Sequence, residues 1–138
     1  MTALANLLIG QGFKISGSDI KESNNTKYLK EKGVKIFIGH KASNIKNAQI
    51  VVYSSAIRKN NPELVLAKKK KLKIFNRYQY LMEILKDKKI IAISGTHGKS
   101  TTTSMIAFVL DELNKKPTVY VGGKSEKYPL GSQWGTGE

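Results

Sequence analysis

The residues Gly95-Thr96-His97-Gly98-Lys99-Ser100-Thr101 combine two glycines, a lysine and several hydroxyls in one short stretch. The apolar run Ile90–Ile93 precedes them, and Ile106, Val109, Leu110 and Leu113 follow at the i, i+3, i+4, i+7 spacing of one helix face. That order predicts a strand, a loop and a helix whose spaced face is buried. A helix N-terminus gathers unpaired N–H groups and the positive end of the dipole, so it attracts phosphate. Gly95 and Gly98 let the backbone approach a phosphate with no Cβ in the way. Lys99 is expected to reach the terminal phosphates of a nucleotide and to carry the catalytic charge. The Ser100 hydroxyl is expected on a Mg²⁺ ion, and Thr96, His97, Thr101 and Thr102 as further donors. The general phosphate-loop pattern fails at its first glycine, where Ile93 stands. A glycine-rich turn before an ordinary helix is the plainer alternative, and His97 reads as a loop residue held by its backbone, not as a general base.

Other polar groups fall where ligands collect in alternating α/β chains. Thr2–Gly10 reads as a helix with Leu4, Leu7 and Leu8 on one face. Phe13–Ser16 reads as a strand, followed by the loop Gly17-Ser18-Asp19. A helix over 23–32 closed by Gly33 leads to a strand over 34–38 and the turn Gly39-His40. Ile50–Tyr53 is a strand ending at Ser54-Ser55-Ala56. Asn61-Pro62-Glu63 is a helix start: a capping Asn, Pro at the first position and an acid in the first turn. That helix runs to about Lys71; a strand over 72–75 and a helix with Tyr78, Leu81, Met82 and Leu85 on its face follow. Lys86–Lys89 is a polar break, Pro117–Val121 reads as a strand closing at Gly122-Gly123, and the tail from Lys124 lacks periodicity. Alternation of this kind implies a parallel sheet with helices on both faces. Ligands in such sheets sit beyond the carboxyl ends of the strands. Each turn there could be ordinary capping. Together they place an acid, Asp19, an imidazole, His40, and two hydroxyls, Ser54 and Ser55, at successive strand ends, which suits a nucleotide crevice. Asp19 would accept from a ribose hydroxyl or the base edge, His40 would contact the base, and the serines would face the diphosphate or sugar.

Composition narrows the classes. In 138 residues there are 24 Lys and Arg against 10 Asp and Glu, a net charge of +14, with 40% hydrophobic residues and no cysteine. Disulfides and thiolate chemistry are excluded. No apolar run is long enough for a membrane span and no secretory signal is evident, which fits a cytoplasmic protein. The excess of cations favours polyanions. Lys68–Lys71, the densest run, falls at a helix end where cations suit the dipole, so nucleic acid is the lesser reading.

The stretch Gly-Thr-His-Gly-Lys-Ser-Thr-Thr-Thr at 95–103 resembles the ATP loop of the Mur ligases, ATP-dependent ligases of bacterial cell-wall assembly. The likeness extends over nearly the whole chain: Ser16–Asp19, Ile36–His40, Val51–Ile57, Asn61-Pro62-Glu63 and Val121-Gly122-Gly123 follow in the family's order. His97 resembles the branch that adds L-alanine to UDP-N-acetylmuramate; the branch that reattaches recycled murein tripeptide carries a very similar loop. The resemblance implies a Rossmann-like UDP-sugar domain over 1–87, lacking its first strand, and over 88–138 the start of a P-loop central domain that binds ATP and Mg²⁺. It implies UDP-N-acetylmuramate and L-alanine as substrates, an acyl phosphate formed by ATP, and attack by the amine. The strand and glycine-rich loop that open the family, the acidic Mg²⁺ ligands and the third domain are not matched, nor is an Asn-Ala-Arg segment at Gly131-Ser132-Gln133. The expectation is an interior piece of a ligase, inactive by itself. A basic nucleotide- or nucleic-acid-binding module without enzymatic activity is the alternative. These residues leave oligomeric state open.

Overall fold

The computed structural model describes residues 1–121, 123 and 127–137. Gly122, where the strand from Pro117 was expected to close, and Lys124–Glu126 and Glu138 of the expected tail lie outside the described residues. The chain divides into two compact units, one of Met1 and 15–84, the other of 2–14 and 85–138.

The first unit is built from two βαβ steps. β1 (Ser16–Asp19) and β2 (Lys35–Ile38) pair in parallel through α2 (Asn24–Glu31). β3 (Ile50–Tyr53) and β4 (Lys73–Asn76) pair in parallel through α3 (Pro62–Lys69), and α4 (Arg77–Leu85) follows. The expected single sheet is thus two separate parallel pairs among the described residues. α2 opens on a reciprocal cap: Ser23 Oγ accepts from Thr26 N and Thr26 Oγ1 accepts from Ser23 N. α3 opens as its sequence implies, Asn61 Oδ1 accepting from the amides of Glu63 and Leu64. Val51, Leu64 and Ala67 form the buried centre between β3 and α3.

The strand expected over 13–16 begins three residues later. α1 (Thr2–Gly10) ends with the Phe13 amide donating to Leu8 O and the Gly12 amide to Ile9 O, with Gly12 at φ +84°. The Phe13 N–H is used in closing the helix, so pairing starts at Ser16, and the expected loop Gly17-Ser18-Asp19 is the strand itself. The same left-handed closure ends α3 at Lys71, where the Leu72 amide reaches Ala67 O. In α4 the expected face is displaced. Tyr80 is the buried residue, tilted against Phe75 at 5.3 Å between ring centres, while Tyr78 is 69% exposed.

The second unit holds α1, whose Leu4, Leu7 and Leu8 are buried as their spacing implies. It also holds α5 (Lys99–Glu112) and the antiparallel pair of β5 (Val119–Tyr120) with β6 (Ser132–Gln133). Asn6 Nδ2 donates to Ser132 O, and Ser132 Oγ donates to Ala3 O, so α1 is tied to β6. The tail, which lacks periodicity, still buries Tyr128, Leu130 and Ser132. Two further expectations fail here. Ile90–Ile93 makes no strand, because no neighbouring strand pairs with it among the described residues, and Ile90 and Ile91 are exposed. On α5 the buried residue is Ala107, packed with Val119, Val121 and Tyr128, while Val109 and Leu113 face solvent. The spacing marked an apolar stripe correctly, but β5 and the tail cover the adjoining stripe.

Candidate functional site

In the second unit, the turn 95–97 leads into α5 at Lys99 with Gly98 as its cap residue. Gly98 lies at φ +77°, the left-handed region, and Gly95 at φ +148°. No side chain caps α5. The amides of Lys99, Ser100 and Thr101 precede the first helical bond, from Thr102 N to Gly98 O at 2.9 Å, and have no acceptor among the described residues. Lys99 folds back over the turn: Nζ donates to Gly95 O at 2.5 Å and to Thr96 O at 3.2 Å. The ammonium is thus held against the loop itself. His97, Ser100 and Thr101 are exposed, and Ser100 Oγ lies 3.6 Å from where a Cβ on Gly123 would stand. Among the described residues no cluster of three or more His, Cys, Asp or Glu could hold a metal.

In the first unit the strand ends carry a second group. Asp19 closes β1 and is exposed. The Met1 amine beside it is pushed down in pKa by burial and by Arg77, with Asp19 opposing. Ser54, half-buried, accepts from the Ala56 amide at 3.4 Å, and Ser55 is exposed in the same turn. His40 is less free than expected. Its Nδ1 lies 3.0 Å from Ser18 Oγ and 3.2 Å from Glu63 Oε2, and its Nε2 is buried with no partner among the described residues. Glu63, only 8% exposed, also accepts from Ser18 Oγ at 2.7 Å and from Asn44 Nδ2 at 2.7 Å. Sequence reasoning placed Glu63 only as the acid of a helix start and did not single out Ser18 or Asn44 for this group. The signal was an acid two residues after the cap of a helix that begins beyond a strand end, which by itself points only to the dipole.

The family model for the catalytic domain of the Mur ligase family matches residues 1–89. The chain belongs to the Mur ligase family. Along its whole length this Mur ligase chain is 47% identical to UDP-N-acetylmuramate–L-alanine ligase of Aquifex aeolicus and 44% identical to the ligase of that name from Brucella ovis. It spans 30% and 29% of those two proteins. Among solved structures, UDP-N-acetylmuramate-alanine ligase from Thermotoga maritima superposes with a TM-score of 0.91 at 38% identity, over 99% of this chain and 33% of that one. The murein peptide ligase from Psychrobacter arcticus gives 0.87 at 26% identity, over 100% of this chain and 32% of that one. The Mur ligase chain thus shares its α/β fold with these two solved structures. The Gly95–Ser100 turn lies outside the residues that the family model matches but inside the three alignments that span the whole chain. Among the described residues no helix is long and apolar enough to cross a membrane.

Proposed function

We propose that this chain forms the nucleotide-binding part of a cytoplasmic, ATP-dependent ligase that joins L-alanine to UDP-N-acetylmuramate in peptidoglycan synthesis. Residues 1–87 hold the UDP-sugar through Asp19, Ser54 and Ser55, with His40 shaping the β2 end of the same crevice. Residues 88–138 begin the P-loop ATP domain, with Gly95, Thr96, His97, Gly98, Lys99, Ser100 and Thr101 around the phosphates. The observation that carries this reading is the Lys99 ammonium resting on the carbonyls of Gly95 and Thr96 at the mouth of an uncapped helix.

The chemistry follows from charge. Transfer of the γ-phosphoryl group to the substrate carboxylate gives an acyl phosphate, which the amine of L-alanine attacks with release of phosphate. Lys99 leaves the loop carbonyls for the phosphoryl oxygens, exchanging neutral acceptors for anionic ones, and so favours the transition state as charge spreads over those oxygens. The free amides of Lys99–Thr101 hold the phosphates in line. Ser100 supplies one ligand to Mg²⁺, which neutralises phosphate charge when bound. L-Alanine is favoured over recycled peptide because identity is 47% and 44% to alanine ligases and 26% to the murein peptide ligase. Titration with Mg·ATP tests the loop: saturable binding weakened at least about tenfold in Lys99→Ala supports it, and equal binding by both proteins contradicts it.

A further inference from the structure

We propose that Glu63 is the positioning residue of the strand-end site: its buried carboxylate locks His40 as the Nδ1–H tautomer and fixes the ends of β1 and β2 for the nucleotide sugar. The second half of this statement rests on the UDP-sugar reading above.

The proton count leaves one arrangement. Asn44 Nδ2 lies 2.7 Å from Glu63 Oε1 and 3.1 Å from Gly39 O. Both are acceptors, so the amide orientation is fixed and Oε1 receives a donor. Ser18 Oγ gives its single proton to Oε2 at 2.7 Å. Toward His40 that hydroxyl can then only accept, and Oε2 can only accept too. Both of the groups near Nδ1, at 3.0 and 3.2 Å, therefore require a proton on Nδ1. Nε2 is buried and has no partner among the described residues. A bare lone pair is the less costly state there, since a buried N–H without an acceptor loses its full solvation.

Three segments meet on this one carboxylate. Ser18 adjoins Asp19 on β1. His40 follows β2, where the Gly39 amide already donates to Asp19 O at 2.7 Å. Asn44 lies in the 3-10 turn Ala42–Ile45 that leads on toward β3. Glu63 is placed by the Asn61 cap at the start of α3, where an acid complements the helix dipole. Removing its charge leaves Ser18 and Nδ1 competing for weaker acceptors and frees both turns. His40 itself acts through this frame, since neither ring nitrogen is open to solvent-side ligands in this arrangement.

The chain has only two histidines, so two-bond proton–nitrogen spectra of the ¹⁵N-histidine-labelled protein resolve each. They are recorded at alkaline pH, where imidazole is neutral. His97, exposed, is expected as the Nε2–H form that water favours; His40 is expected as Nδ1–H. In Glu63→Gln the amide can donate to Nδ1, so His40 shifts to Nε2–H, and uridine diphosphate binding by titration calorimetry weakens roughly tenfold. An Nε2–H His40 in the unmutated chain overturns the lock while leaving the substrate reading intact. Undiminished uridine diphosphate binding in Glu63→Gln overturns the positioning role. No binding by the unmutated chain overturns the substrate reading, and the positioning role with it. Should Glu63→Gln not fold, Ser18→Ala decides: it keeps Oε2 beside Nδ1, so Nδ1–H persists, and a shift to Nε2–H overturns the lock.

Discussion

Lys99 Nζ sits 2.5 Å from the carbonyl oxygen of Gly95, four residues back across the turn that opens α5. The contact holds the ammonium against the turn that precedes α5, and its partners among the described residues are two neutral carbonyl oxygens, Gly95 O and Thr96 O. A phosphate would outcompete those oxygens, because charge-assisted hydrogen bonds are about twice as strong as neutral ones. Lys99→Ala is therefore expected to weaken Mg·ATP binding by about 10- to 100-fold, the equivalent of one lost bond to a charged group. Calorimetric titration of both proteins measures it. Circular dichroism should stay unchanged, since the side chain is exposed.

Gly98→Ala probes the backbone. Gly98 lies at φ +77°, where a Cβ costs about 1–2 kcal/mol, although a Cβ there would meet nothing closer than Thr102 Oγ1 at 4.0 Å. Strain, not crowding, is the expected cause of any loss. ATP affinity should fall and the start of α5 should fray, seen as faster amide exchange at Thr102, while exchange in 15–84 stays the same.

Trp134 is the single tryptophan, and it lies in the second unit, where a Cβ on Gly10 would come within 2.5 Å of the Trp134 Cβ. Its fluorescence reports on that unit. Leu7 on α1 is fully buried. Leu7→Ala should cost about 2–5 kcal/mol by leaving a cavity, and lower the denaturant midpoint read from tryptophan emission. An unchanged midpoint would mean that α1 is not part of this unit's core.

Alkali should unfold the second unit through Tyr128. Burial first, and Asp111 second, push its phenol from the ordinary 10.0 up to about 12. A raised folded pKa means the neutral form is favoured by folding, so the contribution is complete below pH 10.0 and disappears as pH rises toward about 12. Tyr128→Phe should flatten stability across that window. At neutral pH it should lose about 1 kcal/mol, the worth of the 3.3 Å bond from Tyr128 Oη to Asp111 Oδ2. Denaturant melts at several pH values, followed by Trp134, test both parts.

Local signals carried most of the element order. Asn61-Pro62-Glu63 stated its helix start outright, and Ile50–Tyr53 stands as the strand its β-branched run implies. What the sequence hid was set by hydrogen bonds and partners that alternation and spacing do not show. Phe13 looked like a strand residue because alternation is a two-residue pattern, yet its amide closes α1. The apolar face of α5 was visible, but which stripe gets covered depends on Val119, Val121 and Tyr128. Asp19 and His40 were picked out as polar groups at strand ends; that His40 turns inward follows from Glu63, 23 residues later, and no local pattern encodes that pairing.

The most direct test is isothermal titration of this chain with Mg·ATP, alongside Lys99→Ala. The expected result is one saturable site in the unmutated protein that is weakened at least about tenfold by the substitution, in line with loss of a charge-assisted contact. Binding of equal strength in both, or heat that disappears with added salt and returns with any polyanion, would contradict the assignment of the Gly95–Ser100 turn to ATP and with it the ligase reading.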